Sequence, residues 1–241
     1  MQITFLGTGN AFAPQRDWAC ILVNDTILLD AGPSALVNMK RLRHSPAQLR
    51  HIFISHFHGD HFFGLPFLLL DMYFVSTTEE PLTLIGPPGI EEHVRQMMTL
   101  AYPDIMDRGW PRPITFVEAQ PEARQTVDGL TFSAVPVRHA DDYLKPFAYR
   151  LYFDDGILAY SGDTAVTPAL QDLVAGARVV ILEAASQEES TVHLGLRALR
   201  ELLARMPKDS QVLLNHLDTP DAKAWQDLPV TVPRDLQQFT F

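Results

Sequence analysis

The chain has 241 residues, 46% of them apolar and 20% charged, so it can bury a substantial core and is not intrinsically disordered. Its formal net charge of −10 does not suit nonspecific attachment to a phosphate backbone, which relies on basic patches and counterion release. One cysteine, Cys20, excludes an internal disulfide and a thiolate cluster. Nine histidines accompany it, so a metal site here must use nitrogen and oxygen ligands.

In chain order, the opening MQITFLGTG has no basic lead into an apolar core and reads as a first strand rather than a signal peptide. Short β-rich runs predict strands over 3–6, 19–23, 26–30, 51–55, 82–85, 114–117, 130–137, 147–153, 157–160, 179–182 and 212–215. Asn24 and Asp25 form a tight hairpin turn between two of them. Helical patterns fall at 35–43, 64–73, 90–100, 168–175 and 194–206. In the last of these, Leu199, Leu202, Leu203 and Met206 share a core-facing stripe. The apolar stretch 62–70 is broken by Gly64 and Pro66 and falls short of the ~20 residues that cross a bilayer. The strongly apolar segment 62–74 reads as a buried helix that a homodimer partner would complete. With no repeat or Gly/Ser-rich linker, the expectation is one α/β domain over 1–241, cytoplasmic and without a membrane segment.

One segment outweighs the rest. An apolar strand from His51 runs into Ser55-His56-Phe57-His58-Gly59-Asp60-His61. Imidazole and carboxylate are the ligands zinc and similar divalent ions take. Alternate residues of an extended loop point the same way, so His56 and His58 can converge on one ion. A bend at Gly59 would turn Asp60 and His61 toward a second ion. The remaining histidines His44, His51 and His93 read as structural or surface residues, and the basic run Lys40, Arg41, Arg43 and Arg50 as a solvated helix face. The segment 102–113, with Trp110, reads as packing rather than as a pocket roof.

This segment resembles the signature of the metallo-β-lactamase superfamily, and further elements follow in that superfamily's order. Val135-Pro136-Val137-Arg138-His139, Tyr160-Ser161-Gly162-Asp163-Thr164 and Leu213-Leu214-Asn215-His216 each end a strand with a ligand-type residue. The likeness is to the ribonuclease Z branch, through Phe5-Leu6-Gly7-Thr8-Gly9, Leu28-Leu29-Asp30-Ala31-Gly32, Gly64-Leu65-Pro66, the 84–90 stretch, Phe147-Ala148-Tyr149-Arg150, and Glu183-Ala184-Ala185 followed by His193. The resemblance implies a four-layer αββα sandwich. It implies two divalent ions, zinc first with manganese or iron as other choices. His56, His58 and His139 would hold one ion, and Asp60, His61 and His216 the other, with Asp163 between them.

The implied chemistry is hydrolysis by a metal-bound hydroxide. Asp60 would orient or deprotonate the attacking water, and His193, placed at a helix start after Ser190 and Thr191, would protonate the leaving group. Two departures separate the chain from ribonuclease Z. Where that enzyme carries a long tRNA-gripping arm, Phe153 turns through Asp154-Asp155-Gly156 straight into the next strand. After the last histidine the chain reads Leu217-Asp218-Thr219-Pro220 in place of a Ser-x-Arg-Tyr element. The expected substrate is therefore a small or cyclic phosphodiester, a small-molecule or nucleotide ester. A ribonuclease Z-like tRNA 3′-end endonuclease, with RNA as partner, and a lactonase or thioesterase are the alternatives.

Overall fold

The computed structural model describes residues 1–121, 123–140, 143–188, 190–218 and 222–241. They divide into two units, one formed by Met1–Gly7, Asp17–Glu118 and Asp235–Thr240, the other by Thr8–Arg16, Ala119–Arg234 and Phe241.

The first unit carries strands β1 (Gln2–Gly7), β2 (Cys20–Val23), β3 (Ile27–Leu29), β4 (His51–Phe53), β5 (Leu82–Gly86) and β6 (Ile114–Glu118). Its helices are α1 (Ala35–Arg41), α2 (Gly59–Phe62), α3 (Leu65–Phe74), α4 (Ile90–Ala101) and α5 (Pro103–Met106). The second unit carries β7 (Arg124–Val127), β8 (Leu130–Pro136), β9 (Phe147–Phe153), β10 (Gly156–Tyr160), β11 (Val179–Glu183) and β12 (Gln211–Asn215), with helices α6 (Ala169–Val174) and α7 (Leu196–Leu203). The chain then returns to the first unit as β13 (Gln237–Thr240).

The first sheet runs β13-β1-β2-β3-β4-β5-β6. It is antiparallel through β3 and parallel from β3 to β6. At the β2–β3 hairpin, Asn24 and Asp25 both take positive φ, 48° and 59°, the left-handed pair a two-residue turn demands. Leu22, Leu28, Ile52 and Leu84 of this sheet share a core with Met39, Leu68, Leu69 and Val94 of the helices. Each such side chain contributes about 1.5–3 kcal/mol on leaving water. The second sheet runs β12-β11-β10-β9-β8-β7, antiparallel from β7 to β10 and parallel from β10 to β12. Its helices pack Leu170, Leu173, Leu199 and Leu202 on Ala148, Val180, Leu182 and Leu214.

All eleven expected strands and five expected helices are present, with shifts at their ends. Strand β4 stops at Phe53, before the expected Ser55. The apolar segment 62–74 is not one buried helix. It breaks at Gly64, and Phe63, Phe67 and Phe74 stand exposed. Gly64 cannot carry a side chain, because a Cβ there would lie 2.2 Å from the Gly32 carbonyl oxygen. Trp110 packs on Phe116, ring centroids 5.5 Å apart, under the Arg95 guanidinium. Among the described residues no helix is long and apolar enough to cross a membrane.

Candidate metal centre

In the first unit the ligand-type residues follow β4, at the carboxyl end of a parallel strand, where open α/β sheets place their ligands. His56 Nε2 and His58 Nδ1 lie 3.1 Å apart. The extended loop does bring alternate imidazoles to one point. His61 Nε2 lies 3.4 Å from Asp60 Oδ2. The expected bend at Gly59 is replaced by the start of α2, with His58 in extended backbone just ahead of it. Gly59 does not adopt positive φ. The structure gives a different reason for its missing side chain, a Phe63 ring 2.9 Å from where a Cβ would sit.

Behind these residues lies Asp30, fully buried and at φ 56°, a conformation that costs a non-glycine residue of order 1–3 kcal/mol. It does not cap a helix. Its Oδ1 accepts from Ser55 N at 2.7 Å, and its Oδ2 accepts from Ser55 Oγ at 2.8 Å and from His61 Nδ1 at 2.7 Å. Cys20 Sγ–H donates to the Asp30 carbonyl. Burial first, and then the Asp30 charge, push that thiol well above the usual cysteine range.

In the second unit, His139, Asp163 and His216 follow the ends of β8, β10 and β12. These three strands run in the same direction, so their ends share one edge of the sheet. His139 Nδ1 donates to the Val192 carbonyl at 2.8 Å, leaving Nε2 3.7 Å from Asp163 Oδ2. His216 Nε2 lies 3.2 Å from the same oxygen. His216 is held at φ 57°, flanked by Leu217, whose N–H donates to Thr8 and whose carbonyl accepts from Asn10. Of the element after His216, Thr219 and Pro220 lie outside the described residues.

Glu183 is this unit's counterpart of Asp30. It is buried and accepts from Thr164 N at 2.7 Å, Ala185 N at 3.1 Å and His193 Nδ1 at 2.9 Å. His193 is not at a helix start. It sits in a turn before α7, where Ser190 Oγ accepts from the N–H groups of Val192 and His193. One ligand atom from each of His139, Asp163 and His193 lies within 4.8 Å of the others, and Glu183, His193 and His216 form a second such group. Imidazole and carboxylate donors, mostly buried and turned by carboxylates or carbonyls behind them, fit divalent transition ions well.

The other histidines have structural partners. His44 pairs with Asp25 at 3.4 Å. His93 stacks on Phe57, centroids 4.0 Å apart, and donates from Nδ1 to the Gly89 carbonyl. Lys40 and Arg41 of the basic run form ion pairs with Asp71 and Asp17. Ser55, which touches both Asp30 and His56, was not singled out by the sequence. Its signal was a hydroxyl immediately before the first ligand-type histidine.

The family described as anti-Pycsar protein Apyc1 matches residues 1–231. Ribonuclease Z of Staphylococcus carnosus is 32% identical over 158 residues, 63% of this chain and 49% of that protein. The chain thus spans about half the length of the curated relatives it matches. Human tRNase Z, short form (ELAC1), superposes with a TM-score of 0.78 at 20% identity, covering 100% of this chain and 99% of that one. A diphosphatase from the PhnP family gives 0.78 at 18% identity, covering 100% and 97%. The fold is the α/β fold of the metallo-β-lactamase superfamily, as the sequence resemblance implied. The chain belongs to the anti-Pycsar protein Apyc1 family and has the fold of the metallo-β-lactamase superfamily, with its sequence likeness to the ribonuclease Z branch.

Proposed function

We propose that the chain is a dinuclear metal-dependent phosphodiesterase acting on a small or cyclic phosphodiester. The observation that carries the reading is that a buried carboxylate holds one imidazole in each unit: Asp30 holds His61, an assigned ligand, and Glu183 holds His193, the candidate acid. By the family resemblance, His56, His58 and His139 would hold one ion and Asp60, His61 and His216 the other, with Asp163 available to both. Zinc suits this donor set first, then manganese or iron. When bound, such a pair supplies an acidified water and Lewis acidity at the ester.

The chain's own groups do the rest. The Asp60 carboxylate, only partly buried, orients the attacking water and takes its proton. Nδ1 of His193 is tied to Glu183, so Nε2 is the atom that delivers a proton to the leaving oxygen. The choice of a small substrate rests on the β9–β10 turn, where Gly156 pairs with Phe153 and leaves no arm to grip RNA. The ribonuclease Z relatives favour a second reading, tRNA 3′-end cleavage without the arm. A homodimer fits the exposed Phe67 and Phe74 of α3, since a helix apolar on nearly every side needs cover. A cytoplasmic setting fits a sole cysteine that is buried and free.

The test is a substrate panel with added zinc or manganese: a cyclic nucleotide, bis(p-nitrophenyl) phosphate, precursor tRNA, a lactone and a thioester. The two small phosphodiesters should be turned over, and Asp60→Ala should be slower by roughly 10²–10⁴-fold. Equal rates in Asp60→Ala would remove the base. Preferred lactone or thioester turnover would overturn the substrate class, and salt-sensitive cleavage at the discriminator base would favour the tRNA reading.

A further inference from the structure

We propose that Ser55 is a positioning residue. Its hydroxyl fixes the tautomer of His56 and thereby ties His56 to the carboxylate that already holds His61. A hydroxyl has one proton, and Ser55 Oγ gives it to Asp30 Oδ2 at 2.8 Å. Toward His56 Nδ1, 2.9 Å away, it can only accept, so His56 carries its proton on Nδ1. Nε2 is then a lone pair, facing His58 Nδ1 at 3.1 Å. Asp30 Oδ2 also accepts from His61 Nδ1 at 2.7 Å, which leaves His61 Nε2 as the lone pair beside Asp60.

A single buried oxygen, Asp30 Oδ2, therefore sets the ligand nitrogen of two histidines. One is in the His56–His58 pair and one in the Asp60–His61 pair. It reaches the second directly and the first through one hydroxyl. Asp30, Ser55, His56 and His61 are each at most 1% exposed, so water cannot readily replace a lost partner. Outer partners of this kind are worth about 10–100-fold in metal affinity. The two pairs should respond differently: removing the hydroxyl affects only His56, whereas neutralising the carboxylate affects both. Insofar as it concerns two ions, this inference rests on the metal-centre reading above.

The experiment has two arms. In the first, ¹⁵N NMR of the ion-free chain reads the imidazole tautomers. His56 should be protonated on Nδ1 in wild type, become a tautomer mixture in Ser55→Ala, and return to Nδ1–H in Ser55→Thr, which restores the hydroxyl. A His56 protonated on Nε2 in wild type, or unchanged in Ser55→Ala, overturns the proposal. In the second arm, zinc alone is titrated calorimetrically. Ser55→Ala should weaken one of two sites by 10–100-fold and leave the other within about threefold, while Asp30→Asn weakens both. Equal effects of Ser55→Ala on both sites, or none, refute the separate routes. A wild-type chain that takes up no zinc overturns the metal-centre reading alone, and the tautomer arm then still decides the role of the hydroxyl.

Discussion

Glu183 offers the sharpest test of how the second unit is held together. Its carboxylate is 1% exposed and takes three donors, two of them backbone N–H groups in the turns at Thr164 and Ala185. Truncation to alanine strands both amides in a buried site, at about 1–3 kcal/mol each. His193 is 24% exposed and can turn to water, so losing that contact adds little. Glu183→Ala should therefore cost roughly 2–6 kcal/mol, a large share of the ~5–15 kcal/mol that stabilises a typical domain. Glu183→Gln, which keeps one acceptor oxygen in place, should cost about half as much. His193→Ala should fall within ~1 kcal/mol of wild type, since the imidazole is part-exposed and the Glu183 carboxylate keeps its two backbone donors. The assay is urea unfolding followed by circular dichroism and by fluorescence, with the buried Trp225 in the same unit as reporter. If Glu183→Ala unfolds within 1 kcal/mol of wild type, or costs no more than His193→Ala, the carboxylate is not a structural tie for the two turns and the reasoning fails.

Gly64→Ala should abolish stable folding, because its Cβ would meet backbone oxygens of Gly32 and Ala31 at 2.2 and 2.7 Å. Gly59→Ala should cost under ~1.5 kcal/mol, because its obstacle is the exposed Phe63 ring, which can swing away. Thermal melts of the pair check the contrast, and equal losses would refute it. Cys20 should resist iodoacetamide at pH 8 in the native chain and react at once in urea. Its folded pKa is raised, so its contribution to stability is complete below the unfolded value near 8.5 and declines as pH rises above it. A native thiol that labels as fast as the unfolded one would contradict the burial argument. Finally, a strong chelator should lower the melting temperature of zinc-loaded protein and zinc should restore it. Ligand at a hundred times its dissociation constant is worth about 2.7 kcal/mol. No shift on either step counts against the metal centre.

The sequence made legible those features that depend on local chemistry. The central strands, β4, β5 and β9 to β12, are apolar runs whose burial their own composition dictates. The pairs at His56–His58 and Asp60–His61 follow from spacing along one loop. Strands β7 and β13 were not legible. Arg124–Val127 and Gln237–Thr240 are edge strands with polar, part-exposed residues, so they lack the alternation that marks a strand. Gly59 reads as a bend in sequence because bends and close ring contacts select glycine equally well, and here the ring contact with Phe63 applies. His193 reads as a helix start because the apolar pattern of α7 begins just after it, whereas the Ser190 hydroxyl closes a turn on Val192 and His193 ahead of that helix. The Asp30–Ser55–His56 chain joins residues 25 apart in sequence, and only the parallel pairing of β3 with β4 brings them side by side.

The return of the chain as β13 has a consequence for biosynthesis. Gln2 pairs with Thr240 and Phe5 with Gln237, so β1 waits for a strand synthesised long after it. Until then β1 presents a free row of amides and carbonyls, the kind of surface on which nascent polypeptides stick to one another. Slowing translation late in the message, or removing residues 235–240, should therefore lower soluble yield by aggregation.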